Sequence, residues 1–197
     1  MRNIILSMSF IMTILASSAQ NKSDTSKHLS FKGVPINGTL ADYVLKMKAA
    51  GFNHKESNKG VELLEGDFAS YKNCVVTVST MKQKDLVSNI GVTFPDCETW
   101  SALYSNYNTL KELLTEKYGK PTQSREEFQN RIRDNDDRIK MYEVQTDRCK
   151  YVTSYEIEKG TIQLSIEHQD MSRCFVKLAY FDKINSETVK KQALDDL

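Results

Sequence analysis

Four cysteines are the residues of this chain that could do the most varied chemistry: Cys74, Cys97, Cys149 and Cys174. An even number of cysteines in an exported chain favours disulfides, and four cysteines allow three pairings. Cys74 and Cys97 lie 23 residues apart and Cys149 and Cys174 lie 25 apart, so the spacing favours one bridge within each pair. The alternative is a four-cysteine metal site, but no CxxC pair supplies the closely spaced ligands of a zinc knuckle.

Three histidines, His28, His54 and His168, are the residues whose ordinary pKa suits acid and base catalysis near neutral pH. None stands in a zinc-binding spacing such as HExxH. The chain also lacks a GxSxG elbow, a phosphate-binding glycine loop and a dinucleotide fingerprint. We therefore expect no cofactor or metal. A hydrolase with a dispersed site stays open, and a pocket holding His54 or His168 beside a carboxylate and a hydroxyl would favour it.

Acidic residues cluster in two segments. Arg133–Arg138 (RDNDDR), together with Glu143, offers the oxygen donors of a calcium loop. Ile139 stands where such a loop needs glycine, and Arg138 occupies a ligand position, so we expect a solvated loop or hairpin tip instead. Glu65–Asp67 has glycine at its centre, which is typical of a bulge in a strand with both carboxylates facing solvent.

Tyrosines and the single tryptophan, Trp100, could expose rings to a partner or a sugar. Their helical or alternating spacing favours core positions with the hydroxyl groups at the edge. The tyrosines in question are Tyr104, Tyr107, Tyr118, Tyr142, Tyr151 and Tyr155.

The elements that must position these residues are organised around one long helix, Thr99–Tyr118. Thr99 can cap its first turn, and Gly119 followed by Pro121 ends it. The apolar residues of the helix recur at steps of three and four, which predicts one stripe facing the core. That stripe consists of Trp100, Leu103, Tyr104, Tyr107, Leu110, Leu113 and Leu114.

Antiparallel meanders are predicted on both sides of this helix, which makes the fold class α+β. A shorter helix, Leu40–Ala50, comes first and has Asn37 or Thr39 as its cap. Alternating and β-branched residues then predict strands over 61–68, 74–80, 87–94, 138–145, 150–157, 161–168 and 174–181. Lys159 and Gly160 form the turn of the tightest hairpin.

The chain is expected to end in a short helix, Ser186–Leu194, with Val189 and Leu194 directed inward.

Two halves of the chain resemble each other. Thr39–Val44 aligns with Thr109–Leu114, both helices end in glycine, and the two cysteines of each half correspond at offsets of 75 and 77 residues. We therefore predict two tandem helix-plus-antiparallel-meander units, about 29–97 and 98–185, followed by the C-terminal helix 186–195. A unit of this length is too small to bury its own sheet, so the units should share one core within a single α+β domain over 29–197.

The first nineteen residues are typical of a cleaved secretory signal peptide. Arg2 precedes an apolar run, and Ser17 and Ala19 stand at the third and first positions before a cut at Gln20. A membrane anchor is the alternative, but the run is shorter than the ~20 residues of a spanning helix. Residues 20–28 are polar and unpatterned, which predicts a flexible lead-in.

Charge is balanced along this chain. It contains 27 basic and 26 acidic residues, and loss of Arg2 with the signal peptide leaves 26 of each. A nucleic-acid partner needs a basic excess, so we expect none, and we expect no membrane insertion after signal cleavage. The predicted location is periplasmic or extracellular.

Two resemblances follow from these features. The signal, the opening FKGVPINGTLADYV with the later AAGF, and the closing YFDKIN with its DDL tail resemble small uncharacterised exported proteins of Gram-negative gut bacteria. That resemblance implies export and no particular activity. The doubled helix-plus-meander units are similar in architecture to the β-lactamase inhibitor protein family, although none of that family's inhibitory-loop motifs is matched.

The absence of catalytic motifs and the predicted rigid sheet favour a non-enzymatic binding or inhibitor-like protein. Its partner would be another protein or a surface glycan, recognised through the sheet face or the hairpin loops. A secreted hydrolase is the alternative.

Overall fold

A computed structural model describes residues 27–81, 84–130, 136–195 and 197. These residues form four helices, a large antiparallel sheet of eight strands and a small sheet of two. The predicted α+β class is therefore confirmed. The predicted signal peptide and all but the last two residues of the predicted lead-in lie outside the described residues.

The helices are α1 (Leu40–Ala49), α2 (Trp100–Tyr118), α3 (Asp137–Gln145) and α4 (Lys183–Asp195). The small sheet pairs β1 (Ser30–Phe31) with β2 (Val34–Pro35). The large sheet contains β3 (Asn53–Asn58), β4 (Val61–Phe68), β5 (Tyr71–Met81), β6 (Lys84–Thr93), β7 (Gln123–Phe128), β8 (Cys149–Ile157), β9 (Gly160–Gln169) and β10 (Arg173–Asp182). These eight strands run in the order β3-β4-β5-β6-β10-β9-β8-β7, and every neighbouring pair is antiparallel.

Strand register separates the two faces of the large sheet. Residues paired across antiparallel strands point to the same face, so each row of partners is either inside or outside. One inner row crosses six strands, and each of its side chains is at most 1% exposed: Leu64, Val76, Val92, Leu178, Leu164 and Thr153. Burial of each large aliphatic side chain contributes roughly 1.5–3 kcal/mol, which makes this face the main source of stability.

Helix α2 packs one stripe onto this inner face. The Thr99 side chain accepts from the Ala102 amide at 3.2 Å, and Gly119 follows the last turn with φ +86°, as predicted. The stripe is narrower than predicted, because Tyr104 is 39% exposed and Leu113 is 48% exposed. Its buried members are Trp100, Leu103, Tyr107, Leu110 and Leu114.

Residues 138–145, predicted as a strand, form helix α3, so this prediction is wrong. Asp136 caps the helix by accepting from the Arg138 amide at 2.8 Å. Met141 and Val144, one turn apart, are buried, and this spacing of three is helical. The remainder of the expected solvated loop, residues 133–135, lies outside the described residues.

The turn between β8 and β9 differs by one residue from the prediction. Ile157 pairs with Gly160, so Glu158 and Lys159 form the two-residue loop. Gly160 is already part of β9, with φ +155°, and a Cβ there would lie 2.1 Å from the Phe181 carbonyl oxygen. Glycine is required because the β10 backbone approaches so closely, rather than by the turn itself.

The C-terminal helix α4 begins three residues earlier than predicted, at Lys183. Leu194 is 61% exposed, so its predicted inward direction is wrong. The side chain of Val189 lies outside the described part of the chain. Asn185, in the first turn of α4, is buried.

Candidate functional site

The candidate functional surface is the outer face of the large sheet. It is formed by the residues that alternate with the buried inner rows, including Leu63, Thr77, Ala179, Gln163 and Ser154, which are partners across β4–β5, β9–β10 and β8–β9. All five side chains are partly exposed. The strands hold these positions by continuous ladders, so the face is fixed by backbone pairing rather than by loops.

Charge at the centre of this outer face is neutralised locally. The Lys177 ammonium lies 2.9 Å from Glu167 Oε2, and the Ser165 hydroxyl donates to Glu167 Oε1 at 2.8 Å. The Gln163 amide lies 3.4 Å from the Ser154 hydroxyl oxygen. At the centre of this face a partner would therefore meet the polar side chains of Gln163 and Ser154 and the satisfied Glu167–Lys177 ion pair.

His168 lies in a cavity of about 350 Å³ that Asp147, Cys149 and Ser165 also line. This places a histidine beside a carboxylate, a hydroxyl and a thiol, the arrangement that would favour a hydrolase. Both ring nitrogens of His168 already face acceptors, the Asp170 carbonyl oxygen at 2.8 Å and Asp147 Oδ1 at 3.2 Å. The hydrogen bond to the Asp170 carbonyl, helped by Asp147, raises the pKa of His168. When His168 is protonated, both nitrogens donate hydrogen bonds, and neither then has a lone pair to activate Cys149 or Ser165.

Burial would keep the cysteines protonated whenever they are reduced. Burial raises the pKa of Cys149 to about 12, with Glu143 adding to the effect, and burial raises the pKa of Cys74 to about 11. A reactive cysteine needs the opposite shift, toward the thiolate. All four cysteines lie in the described part of the chain, and none is bonded to another. The backbones of Cys97 and Cys174 are in contact, because the Cys97 amide donates to the Cys174 carbonyl oxygen at 2.8 Å.

His54, Ser57 and Glu62 come together on the first two strands of the large sheet, β3 and β4. His54 Nε2 lies 2.5 Å from Glu62 Oε2, and the Ser57 hydroxyl donates to the same oxygen at 2.7 Å. A catalytic triad instead places the histidine between serine and acid, with a different ring nitrogen toward each. Here Ser57 is 3.2 Å from that same Nε2 atom. Burial raises the pKa of Glu62, but hydrogen bonds from Ser57 and His54 outweigh it and lower the pKa overall.

His28, expected in the flexible lead-in, is buried. Its Nδ1 atom lies 3.0 Å from Asp182 Oδ1, and His28 and Asp182 are 4% and 0% exposed. Asp182 Oδ2 also accepts from the Leu29 amide at 2.8 Å. The chain before β1 is therefore attached to the end of β10, and no local sequence signal connects residues 154 positions apart.

The sequence patterns also did not predict a polar network that lies under α2. The Tyr107 and Thr153 hydroxyls are 2.6 Å apart, and both reach Glu126 Oε1, which also pairs with Lys111. Burial raises the pKa of Tyr107, so the hydroxyl remains protonated and serves to fix β7 against the helix.

The predicted bulge at Glu65–Asp67 is confirmed by a register shift between Gly66 and Phe68.

Among the described residues, no group of three or more His, Cys, Asp or Glu side chains is arranged to hold a metal ion. None of the four helices there is long and apolar enough to cross a bilayer.

Comparison with protein-family models, with curated proteins and with solved structures found no match.

Proposed function

We propose that this chain is an exported, non-enzymatic binding or inhibitor-like protein that recognises another protein through the outer face of its large sheet. The composition of that face carries the proposal. Thr77 and Ala179 present short side chains, and the Glu167–Lys177 pair satisfies its own charges. Short side chains lose little rotamer entropy on contact, and satisfied charges cost less to desolvate, so this surface is suited to a protein interface.

The chemistry of the histidine and cysteine clusters supports binding over turnover. His168 has acceptors at both nitrogens, and the raised pKa of Cys149 keeps its thiol protonated. At the other histidine cluster, Ser57 and His54 converge on one carboxylate oxygen of Glu62 instead of forming a relay.

Export rests on residues 1–19, whose charge, apolar length and small residues before Gln20 are those of a signal peptide. N-terminal sequencing of the native protein is expected to begin at Gln20. A sequence that begins at Met1 would contradict export by this signal.

The tandem architecture is a second part of the proposal. In this interpretation α1 with β3–β6 is one unit, α2 with β7–β10 is the other, and α3 is an insertion between β7 and β8. Support comes from the strand order, in which the last strand of each meander pairs with the other at the centre. In this interpretation the single cluster of buried residues would be the core that the two units share. The cysteines do not add support, because Cys74 lies in the third strand of its meander and Cys149 in the second.

Charge substitution on the outer face tests the proposed function. A photo-crosslinking residue at Ala179 should capture a protein partner from the native compartment, and Thr77→Lys with Gln163→Glu should abolish capture. Both positions are partly exposed, so the thermal midpoint should stay nearly unchanged. Leu45→Lys, at a 64% exposed position of α1, is the matched control and should capture normally.

Two results would overturn the proposed function. Capture that survives Thr77→Lys with Gln163→Glu would place the interface elsewhere. Hydrolytic turnover that disappears in His168→Ala would show an enzyme.

A further inference from the structure

A second surface feature lies away from the outer face, between the start of α2 and strands β7 and β8. Four aromatic rings line a cavity of about 420 Å³ there. Trp100 and Tyr104, on one face of α2, are stacked, with ring centroids 5.5 Å apart and planes at 22°. Tyr151 stands edge-on to both, at 5.1 and 6.0 Å, and the Phe128 centroid is 4.8 Å from that of Trp100. We call this group the aromatic pocket.

The rings differ in their access to solvent. Trp100 is 5% exposed, because its neighbours cover it, whereas Tyr104 is 39% exposed. Tyr104 therefore rests on a fixed base and offers an open aromatic surface to the cavity. A rigid ring of this kind loses little conformational freedom when a ligand packs on it.

Polar groups of both signs complete the lining. Asp137 Oδ2 accepts from the Ser101 amide at 3.1 Å and from the Ser101 hydroxyl at 2.7 Å, which fixes the carboxylate at the rim. Lys140 also lines the cavity, and its ammonium lies over the Trp100 ring at 5.9 Å from the centroid. The pocket thus combines an acceptor, a hydroxyl and a strong donor with aromatic faces.

This combination selects among ligand classes. A cation would be attracted by Asp137 and repelled by Lys140, and an anion would experience the reverse, so the lining selects neither sign of net charge. A purely apolar ligand would desolvate both charges without giving either a hydrogen bond. A neutral pyranose presents C–H groups that pack on an aromatic face, and hydroxyls that both donate and accept. We propose that the aromatic pocket binds a pyranose unit of a neutral glycan, with Tyr104 as the stacking platform and Asp137, Ser101 and Lys140 as partners of its hydroxyls.

The proposal does not depend on the outer face, because all seven lining residues lie on α2, β7, α3 or β8. Trp100 is the only tryptophan in the chain, so its fluorescence reports on this pocket alone. The probes are the methyl glycosides of glucose, galactose, mannose and N-acetylglucosamine, titrated into the full chain to about 50 mM, a range that covers a Kd of ~1 mM.

At least one glycoside should shift Trp100 emission in a saturable manner, and Tyr104→Ala should weaken its binding at least about tenfold through loss of the stacking surface. The matched control is Tyr142→Ala on α3, which removes a tyrosine that is 50% exposed and does not line the pocket, and should bind normally. Amide shifts at Ser101 and Asp137 in the unsubstituted protein provide a readout independent of the variants. Absence of any saturable change with all four glycosides, or equal affinity in Tyr104→Ala, would overturn the proposal.

Discussion

Ser70 occupies a backbone conformation that suits glycine. The hairpin between β4 and β5 turns through Ala69 and Ser70, both with positive φ, +49° and +69°. Such turns usually carry Asn-Gly, because a Cβ at left-handed φ is crowded. We expect Ser70→Gly to raise the free energy of unfolding by ~1 kcal/mol, measured by urea denaturation.

The control for this change is Ser172→Gly, another exposed turn serine whose φ is not positive. It should leave stability unchanged or lower it, since glycine then adds only unfolded-state entropy. An equal gain in both variants would mean that backbone conformation is not the cause.

Residue-scale chemistry was the least accessible part of this molecule from sequence. The separation of His28 from Asp182, or of Trp100 from Asp137, leaves no local pattern, so neither the buried pair nor the aromatic pocket could be predicted. Gly66 was predictable, because a glycine between strand residues marks a bulge wherever the strand lies.

At the scale of elements, the hydrophobic pattern predicted the strands that bury one face and did not predict the strands that have no buried face. Strands β4–β6 and β8–β10, which are interior strands of the sheet, were predicted to within a few residues. The edge strands β3 and β7 read NHKESN and QSREEF, without apolar alternation, because edge strands need charge more than burial. Helix α3 was predicted as a strand because its apolar face contains only Met141 and Val144, and its third buried residue is the acid Glu143, held by Arg148 at 3.1 Å.

Asp182 joins three elements at the end of β10. Its carboxylate meets His28, accepts from the Leu29 amide and accepts from the Asn185 amide at 2.9 Å in the first turn of α4. Asn185 in turn donates to the carbonyl oxygens of Ile36 and Val87. We expect Asp182→Ala to lower the free energy of unfolding by ~3 kcal/mol or more, because it leaves buried donors unpaired.

Asp85→Ala is the matched control, since Asp85 accepts from the Leu40 amide at 2.9 Å at an exposed helix start. That change should cost only ~1 kcal/mol. Chemical denaturation compares the two variants, and hydrogen exchange at Leu29 and Asn185 should accelerate in Asp182→Ala alone. Equal losses would contradict a special role for this junction.

For the whole molecule, the two disulfides stay a prediction. Non-reducing peptide mapping of the native protein is expected to join Cys74 to Cys97 and Cys149 to Cys174, each closing a loop worth ~3 kcal/mol in the chain-entropy model. A Cys97–Cys174 peptide, favoured by the backbone contact between these residues, would contradict that pairing. So would a bridge from Cys74 to Cys149.

The pH dependence of stability separates the reduced from the oxidised protein. Burial raises the pKa of Cys74 to about 11, and raises the pKa values of Cys149 and Tyr151 to about 12. In the unfolded chain these thiols lose protons near pH ~8.5 and the phenol near ~10. Above those values the native state binds more protons than the unfolded state, so the free energy of unfolding must fall as pH rises.

We therefore expect the fully reduced protein to hold its stability up to pH ~8.5 and to lose it progressively beyond. Disulfides would remove the thiol contribution, so the oxidised protein should stay stable until tyrosine ionisation begins near pH ~10. Urea unfolding midpoints across this range, with and without reductant, measure both curves. A reduced protein whose stability is flat through pH ~10 would contradict the buried, protonated state of its thiols.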